Sequence, residues 1–481
     1  MIDCLSELQE RYTEMLKKQL TRRELIKLGG VAGLATALAA CAPAVPPGSS
    51  GTTQTPTTAA EAPVPVAAEP VSIAWWNSKG GLEVTAPLFQ RTIDEFNAAN
   101  PGIVVEQTTY GGSWDETFTK LTTSFASGVG PDICTAGDIV VPLGRAGFLL
   151  DHREWLESSG VRDLYFDSAL AVQARGYDPT QELYGVPQWV ASSPLGCFSH
   201  YYEEAGLNIN EPPETLDQLL EYAEKLTVRE NDKVTRMGLL NYSDGSCFWY
   251  GLHQMVWAHG GTFLDKGDPY TSQLDQPEIA AAMQWYGDID QVHKVGWEKG
   301  YQEGGALGNP HNLAIIAQFY SHNSKLPRLP EELRPKLEVL GVPVGPAGEA
   351  GRKIPVTVEG DSVGAKSKSL SETLKFFDYL NNTSDFVAKY CEIYAKEVPR
   401  SDLLNLPHLQ DRRHKAWADL GAKYGDPGPG WHPKWTEIRA VILEAQQRVV
   451  INYEKAVDVL VDAHKDVQLI LDDWKAEGGQ I

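Results

Sequence analysis

The chain has 481 residues, of which 42% are hydrophobic and 22% charged, which is enough apolar sequence for two or three folded domains. Its 42 Lys and Arg residues against 64 Asp and Glu residues give a formal net charge of −22, a field that repels phosphate backbones and disfavours a nucleic-acid partner. No run of about 20 apolar residues is present, so we expect no membrane-spanning helix in the mature chain.

Residues 1–40 are typical of a twin-arginine lipoprotein signal peptide. Arg22 and Arg23 precede an apolar run over 28–40, which is too short for a membrane span and suits a signal sequence. The run ends in Leu-Ala-Ala-Cys, which is similar to a bacterial lipobox, so we expect Cys41 to be lipidated and to anchor the mature protein to a membrane surface. A buried N-terminal helix with a chance cysteine is the alternative, and it leaves the order of these features unexplained.

Residues 41–70 are rich in Pro, Ala and Thr and contain almost no large side chain. Such a segment cannot bury enough apolar area to offset its chain entropy, so we predict a disordered tether. Four cysteines remain in the folded part, without a CxxC pair: Cys134, Cys197, Cys247 and Cys391. One or two disulfides are possible outside the cytoplasm, whereas export of an already folded chain from a reducing compartment favours buried free thiols.

From residue 71 onwards, strand patterns alternate with helix patterns. Strands are predicted over 71–76, 103–109 and 133–136, and helices begin near Pro87 and Trp114. The Ser113 and Glu116 pair has the spacing of a capping box before the second helix. Strands separated by helices of this length predict a parallel sheet that is covered on both faces, and hence an α/β fold.

The alternation continues in the second half of the chain. Thr215 and Gln218 form another capping-box pattern. Strands are predicted over 237–240, 313–317, 337–342 and 357–365, with helices over 277–285 and 371–380. The last part is helical throughout, and a 3.6-residue apolar period is held by Ala456, Val459, Leu460, Ala463, Val467 and Ile470.

No motif argues for an enzyme. The GxSxG, HExxH, GxxxxGK[ST] and GxGxxG patterns are absent, and the 11 His residues lack metal-ligand spacing. We therefore predict no catalytic residues, no cofactor and no metal site.

The predicted strand ends carry aromatic and polar side chains. In open α/β sheets, ligands bind at the carboxyl ends of strands. Aromatic rings can stack on the C–H faces of sugars, and carboxylates accept hydrogen bonds from neighbouring hydroxyls. Core packing is the alternative for any single Trp, and a helix N-cap is the alternative for Asp138. The candidate ligand-binding residues at these ends are Trp76, Asn77, Tyr110, Trp114, Asp138, Trp189, Phe319, Tyr320 and Glu359.

Four stretches, in order, resemble extracellular solute-binding proteins of the maltose-binding-protein type, the receptors of carbohydrate ABC importers. They are FNAANPGIVV at 96–105, SGVGPDICTAGD at 127–138 with GFLLD at 147–151, LYGVP at 183–187, and EEAGL at 203–207 with PETLDQL at 213–219. The resemblance implies a two-lobed periplasmic-binding-protein-like fold (type II, Venus-flytrap) with hinge crossings and a helical C-terminus. It implies a first lobe of 71–188 and 343–395, and a second lobe of 189–342 and 396–481.

By the same resemblance, a sugar or oligosaccharide binds between the lobes. Asp138 matches a family acid that binds hydroxyls, and Trp435 matches a stacking aromatic. Trp76, Asn77 and Glu359 fall in loops that line the cleft, and Trp431 is a further aromatic candidate without a fixed counterpart. The chain departs from the family pattern at 197–198 and 318–321, so second-lobe contacts are the least defined.

The resemblance implies an extracytoplasmic receptor, monomeric and lipid-anchored, that delivers its ligand to ABC permease subunits. A lipid-anchored carbohydrate-active enzyme and a signalling receptor without an importer are the alternatives, but an enzyme leaves the order of the four stretches unexplained. Rings outnumber charges at the strand ends, which favours a neutral sugar over a polyamine or a glycerol phosphate.

Overall fold

The computed structural model describes residues 70–111, 114–243, 251–301, 316–320 and 323–481. The predicted signal peptide, Cys41, nearly all of the tether, Ser113, Cys247 and the first part of the 313–317 strand lie outside these residues. Among the described residues, no helix combines the length and apolar composition needed to cross a membrane.

A mixed sheet forms the centre of the first half of the chain. Strand β1 (Val71–Asn77) lies between β2 (Ile103–Thr109) and β3 (Ile133–Thr135), and all three are parallel, as predicted. Strand β10 (Ile354–Val363) returns much later, antiparallel to both β3 and β4 (Val186–Ser192).

Helices pack on both faces of this sheet and enclose the core of the first lobe. On one face, the indole of Trp75 stacks on Phe89 at 5.0 Å between ring centroids. On the other face, Phe118 and Leu121 form a second cluster with the buried Cys134. The helices here are α1 (Ala86–Ala99), α2 (Trp114–Ala126), α3 (Val140–Arg145), α4 (Arg153–Ser158) and α5 (Asp167–Gln173), with α10 (Leu370–Asp378) and α11 (Phe386–Ile393).

A separate core, in the second lobe, is largely helical. Helix α7 begins at the predicted capping box, where Thr215 accepts a hydrogen bond from the backbone of Gln218 at 3.2 Å. The C-terminal apolar period is also confirmed, except that it continues through Leu471 and Trp474 rather than Ile470. The helices are α6 (Ser199–Glu204), α7 (Leu216–Leu226), α8 (His253–His259), α9 (Pro277–Gln291), α12 (Arg412–Tyr424), α13 (Trp435–Asn452) and α14 (Ala456–Ala476).

The sheet of the second lobe corrects the prediction of a repeated parallel pattern. Strand β5 (Leu195–Phe198) pairs antiparallel with both β8 (Gln318–Tyr320) and β9 (Leu337–Gly341). Several helices intervene between β5 and β8, so the single-helix crossover that makes neighbouring strands parallel does not apply. The predicted strand at 237–240 is a single bridge from Met237 to Ile316.

Two further short strand pairs were not predicted. Strands β6 (Val228–Glu230) and β7 (Lys233–Arg236) form a polar hairpin without an apolar face, so no period marks them. Strand β11 (Gly425–Asp426) adds two residues beside the start of β10. The thiols of Cys134, Cys197 and Cys391 are buried and free, as favoured from the sequence.

Strands β4 and β10 pair over six positions close to where the chain passes between the two cores. The predicted lobe boundaries at 188, 342 and 395 remain predictions. The pairing is irregular between Glu359 and Gly360, where the strands approach closely. A Cβ at Gly360 would lie 1.8 Å from the backbone oxygen of Val186, so only glycine fits there.

We expect Gly360→Ala to lower the free energy of unfolding by about 1–3 kcal/mol, because a backbone atom cannot move aside as a side chain can. Urea titration followed by tryptophan fluorescence would measure the loss. Gly102→Ala is the matched control, since an added Cβ there meets nothing within 4 Å. Equal stability of the two variants would contradict the close approach.

Candidate functional site

Polar side chains gather where β1 ends and β10 crosses the sheet. The carboxylate of Glu359 accepts a hydrogen bond from the Ser78 hydroxyl at 3.3 Å and lies 4.0 Å from the Lys79 ammonium. The Lys79 ammonium is also 4.8 Å from the centroid of the Trp114 ring. These side chains combine a carboxylate, an ammonium and an aromatic face within one small region.

Asn77, the last residue of β1, is buried with one of its polar atoms unused. Its Oδ1 accepts a hydrogen bond from the backbone of Gly80 at 2.7 Å. Its Nδ2 has no hydrogen-bond partner among the described residues. A buried amide donor without a partner costs roughly 1–3 kcal/mol. A ligand oxygen atom that accepts a hydrogen bond from Asn77 Nδ2 would recover this free energy.

Tyr110 follows β2 and lies beside Asn77, whose carbonyl accepts a hydrogen bond from the Tyr110 backbone at 2.8 Å. The Tyr110 hydroxyl is buried and also has no hydrogen-bond partner among the described residues. Burial raises the pKa of Tyr110 well above its ordinary value, with further contributions from Cys134, Asp361 and Glu359. The phenol therefore stays protonated and can both donate and accept.

Asp361 is fully buried beneath this region and has three donors around its carboxylate. Oδ2 accepts from the Trp75 indole and from the Gln188 amide, both at 3.1 Å, and Oδ1 accepts from the Thr135 hydroxyl at 3.0 Å. Burial raises the pKa of Asp361 to about 6, although these hydrogen bonds act to lower it.

A cavity of about 690 Å³ lies between the two lobes. Helices α2 and α3 form one wall and the start of α13 forms the other. The Arg439 guanidinium of α13 lies 5.6 Å from the centroid of Phe118 on α2, so the walls are in contact at that point. Its polar lining includes Thr119, Thr122, Arg145, Thr436, Glu437, Arg439 and Glu477. A cavity of this size accommodates a small sugar.

The predicted site residues do not all lie in one place. Asn77, Tyr110, Trp114 and Glu359 lie together at the strand ends, as expected from the sequence. Trp76 is half-buried on the sheet face under α2, with the Lys120 ammonium 4.6 Å from its ring centroid. Asp138 falls in a short 3-10 helix (Gly137–Ile139); its side chain lies outside the described part of the structure, but its neighbour Ile139 lines the interlobe cavity.

Four predicted aromatic residues are core residues instead. Trp189 is 1% exposed, with the Lys396 ammonium 3.9 Å from its ring centroid. Phe319 and Tyr320 are buried in β8, where Phe319 packs near Phe198. Trp435 is fully buried in the second core. Strands β4 and β8 are buried on both faces, and Trp435 lies on the core side of α13, which the sequence alone does not reveal.

Trp431 lines a different cavity, of about 610 Å³, together with Trp257 and Tyr177. It is therefore separated in the structure from the group at the end of β1. Two charged residues that the sequence did not single out are Lys79, at the strand ends, and Arg439, in the wall of the interlobe cavity. The Ser-Lys-Gly-Gly turn directly after β1 was the available signal for Lys79.

Residues 81–384, more than half of the chain, match the family model of bacterial extracellular solute-binding proteins, and the chain belongs to that family. Proteins of this family are substrate-binding proteins that are normally non-enzymatic, and membership implies an extracytoplasmic location. No curated protein sequence gives a significant match to the chain.

Solved structures share the fold. An ABC transporter solute-binding protein of Thermotoga lettingae TMO, bound with α-D-tagatose, is 21% identical with a TM-score of 0.71, over 84% of this chain and 100% of its own. Maltose-bound MalE3 of T. maritima is 19% identical with a TM-score of 0.69, over 83% and 100%. UgpB of Mycobacterium tuberculosis, in complex with glycerophosphocholine, is 19% identical with a TM-score of 0.69, over 84% and 99%.

These similarities confirm a two-lobed, MalE-like α/β fold with helices at its C-terminus. Within the described ranges, no group of three or more His, Cys, Asp or Glu side chains could hold a metal ion.

The pKa of Asp361 predicts a pH dependence of stability. Because the folded-state pKa of about 6 exceeds the ordinary value of 3.8, the folded state retains this proton longer than the unfolded state. The unfolding free energy should therefore decrease by up to about 3 kcal/mol as pH rises from 4 to 6 through this group. Urea titrations across this range would show the decrease.

Asp361→Asn removes the titrating proton and should remove that component of the slope, whatever its effect on absolute stability. Parallel pH profiles for the two proteins would show that Asp361 does not titrate in this window.

Proposed function

We propose that the protein is the substrate-binding lipoprotein of a carbohydrate ABC importer, which binds a sugar or oligosaccharide between its lobes and delivers it to the permease. The observation that carries this proposal is the pair of buried, unused polar atoms at adjacent strand ends, Asn77 Nδ2 and Tyr110 Oη. A polyhydroxylated ligand offers oxygen atoms to both, and the ring of Trp114 nearby offers an apolar face.

The charges at the strand ends favour a neutral ligand. Glu359 lies beside Lys79, so the two charges offset one another before any ligand enters. A polyamine would need several uncompensated acids, and a phosphate would need uncompensated cations at this point. A paired carboxylate and ammonium can instead accept from and donate to neighbouring hydroxyls of one sugar.

Both lobes contribute to the interlobe cavity, so a bound sugar would contact both. A ligand that binds the closed form more tightly than the open form stabilises the closed form by the difference between its two binding free energies. A free-energy difference of a few kcal/mol between the open and closed forms is sufficient. The permease can then still reopen the lobes.

We also propose that Cys41 carries a lipid anchor and that the protein acts as a monomer, exported by the twin-arginine route. The support is the order of Arg22 and Arg23, an apolar run and a Leu-Ala-Ala-Cys sequence. The tether at 41–70 would hold the folded lobes near the membrane that contains the permease.

A thermal melt against a panel of mono- and oligosaccharides, polyamines and glycerophosphodiesters tests the ligand class. At about 100 times its dissociation constant, a true ligand adds about 2.7 kcal/mol to the native state and raises Tm by several degrees. We expect a shift with a neutral sugar, which is then recovered chemically intact. A Tm shift seen only with polyamines or phosphodiesters would mean that the ligand belongs to that class and is not a sugar. Consumption of the sugar would indicate an enzyme.

Tyr110→Phe should weaken sugar affinity by about 3- to 10-fold in calorimetric titration, because it removes only the hydroxyl. Tyr379→Phe is the matched control, since its hydroxyl donates to Glu95 on an exposed surface of the same lobe. Equal affinities for the two variants would exclude Tyr110 from the site.

Cys41→Ser should move the protein from the membrane fraction to the aqueous fraction of the producing cells, because the acyl chains supply the anchor. Immunoblots of the two fractions measure this. A protein that stays in the membrane fraction despite the change would be held by something other than Cys41.

A further inference from the structure

The segment after α14 contacts both lobes. Helix α14 itself belongs to the second lobe, where Leu471 is in the core and Trp474, 5% exposed, is buried at its edge. The chain then turns at Gly478, whose φ of +77° is favourable only for glycine. The backbone of Gly479 donates to the carbonyl of Trp474 at 2.9 Å, which ends the helix.

Two contacts fix the start of this segment to the second lobe. The hydroxyl of Tyr270 donates to the carbonyl of Gly479 at 2.8 Å. A Cβ at Gly479 would lie 2.1 Å from the Trp474 indole nitrogen, so the backbone of Gly479 lies directly against that ring. The rings of Tyr270 and Trp474 are themselves 5.1 Å apart, which makes one anchoring unit.

The next two residues bond to the first lobe instead. Arg145, at the end of α3, donates to the carbonyl of Gln480. Arg175, in the turn after α5, donates to the backbone oxygen of Ile481 at 2.9 Å. Three consecutive backbone oxygens are thus held by one side chain of the second lobe and two of the first.

The charges around Arg145 and Arg175 explain why backbone acceptors matter there. Burial and the neighbouring Arg175 both lower the pKa of Arg145, so the two cations lie close enough to repel one another. Arg175 lies 3.6 Å from Glu182, whereas Arg145 has no carboxylate within 4.0 Å among the described residues. The carbonyl of Gln480 therefore provides a hydrogen-bond acceptor that no acid supplies.

Arg145 also lines the interlobe cavity, as do Trp474 and Glu477. We propose that residues 479–481 form a strap that joins the lobes beside the ligand cavity, holds Arg145 in the cavity wall and stabilises the closed arrangement. Lobe opening would break the bonds to Arg145 and Arg175 but leave the bond to Tyr270. The effect on ligand binding rests on the proposed function, whereas the effect on lobe closure does not.

The test uses the full chain with Cys41→Ser, so that acyl chains do not interfere, and compares it with the same chain ending at Gly478 and with Arg175→Gln. Calorimetry and stopped-flow fluorescence measure affinity and dissociation rate for the sugar identified in the melt. Losing charge-assisted bonds should weaken affinity by about 5- to 30-fold in the shortened chain, mainly through faster dissociation, with a smaller loss for Arg175→Gln. Arg162→Gln is the matched control, because Arg162 pairs with Asp167 of the same lobe, at 2.6 Å.

Small-angle X-ray scattering without ligand gives a second readout, in which the shortened chain should have a larger radius of gyration than the parent. If the shortened chain and Arg162→Gln have the same radius of gyration and the same dissociation rate, the proposed strap does not exist. If no solute binds the parent, the proposed function fails and scattering alone decides the strap. Tyr270→Phe, which removes one hydroxyl, should reproduce part of the effect if the shortened chain does not fold.

Discussion

The buried carboxylate of Asp361 is the interaction on which the rest of this architecture depends. Its three donors come from β1, β3 and the start of β4, so one side chain of β10 connects four strands. These three partners are all donors, which suits an acceptor-only group, yet burial and the nearby Glu359 disfavour its charge. Asp361 and its three donors therefore form a polar centre in an otherwise apolar sheet. That centre fixes the register in which β10 crosses beneath the proposed site.

The register of β10 also determines the position of Glu359. Two residues before Asp361, Glu359 is carried past the end of β3 and reaches Ser78 and Lys79 beyond β1. The approach requires a strand without a side chain at 360, because the neighbouring backbone of β4 occupies that space. The structural centre and the proposed ligand contacts are therefore coupled through one short stretch of strand. A change that shifts β10 would alter both.

The first lobe could be read from the sequence because its contacts are local. Strands β1, β2 and β3 follow one another with single helices between them, and their apolar periods are clear. The second lobe could not, because β5 pairs with strands that lie more than 100 residues later and a single-helix crossover does not connect them. The site shows the same limit. Asn77, at the end of β1, and Tyr110, directly after β2, were selected by position, and their role in ligand binding stays a prediction. Trp189 and Trp435 differ from ligand-facing rings only in which face is buried.

A receptor of this kind must hold two lobes together weakly enough that an importer can separate them. Contacts through an apolar core would make opening costly, since burial stabilises by about 25 cal/mol per Å². The contacts between the lobes beside the cavity, among the described residues, include polar ones: Arg145 and Arg175 donate to backbone oxygens, and Arg439 lies over Phe118. Each contributes on the order of 1 kcal/mol, and water can replace the lost partner when the lobes part. Arginine is well suited to this role, because its fixed set of donors gives a defined closed geometry without an apolar seal.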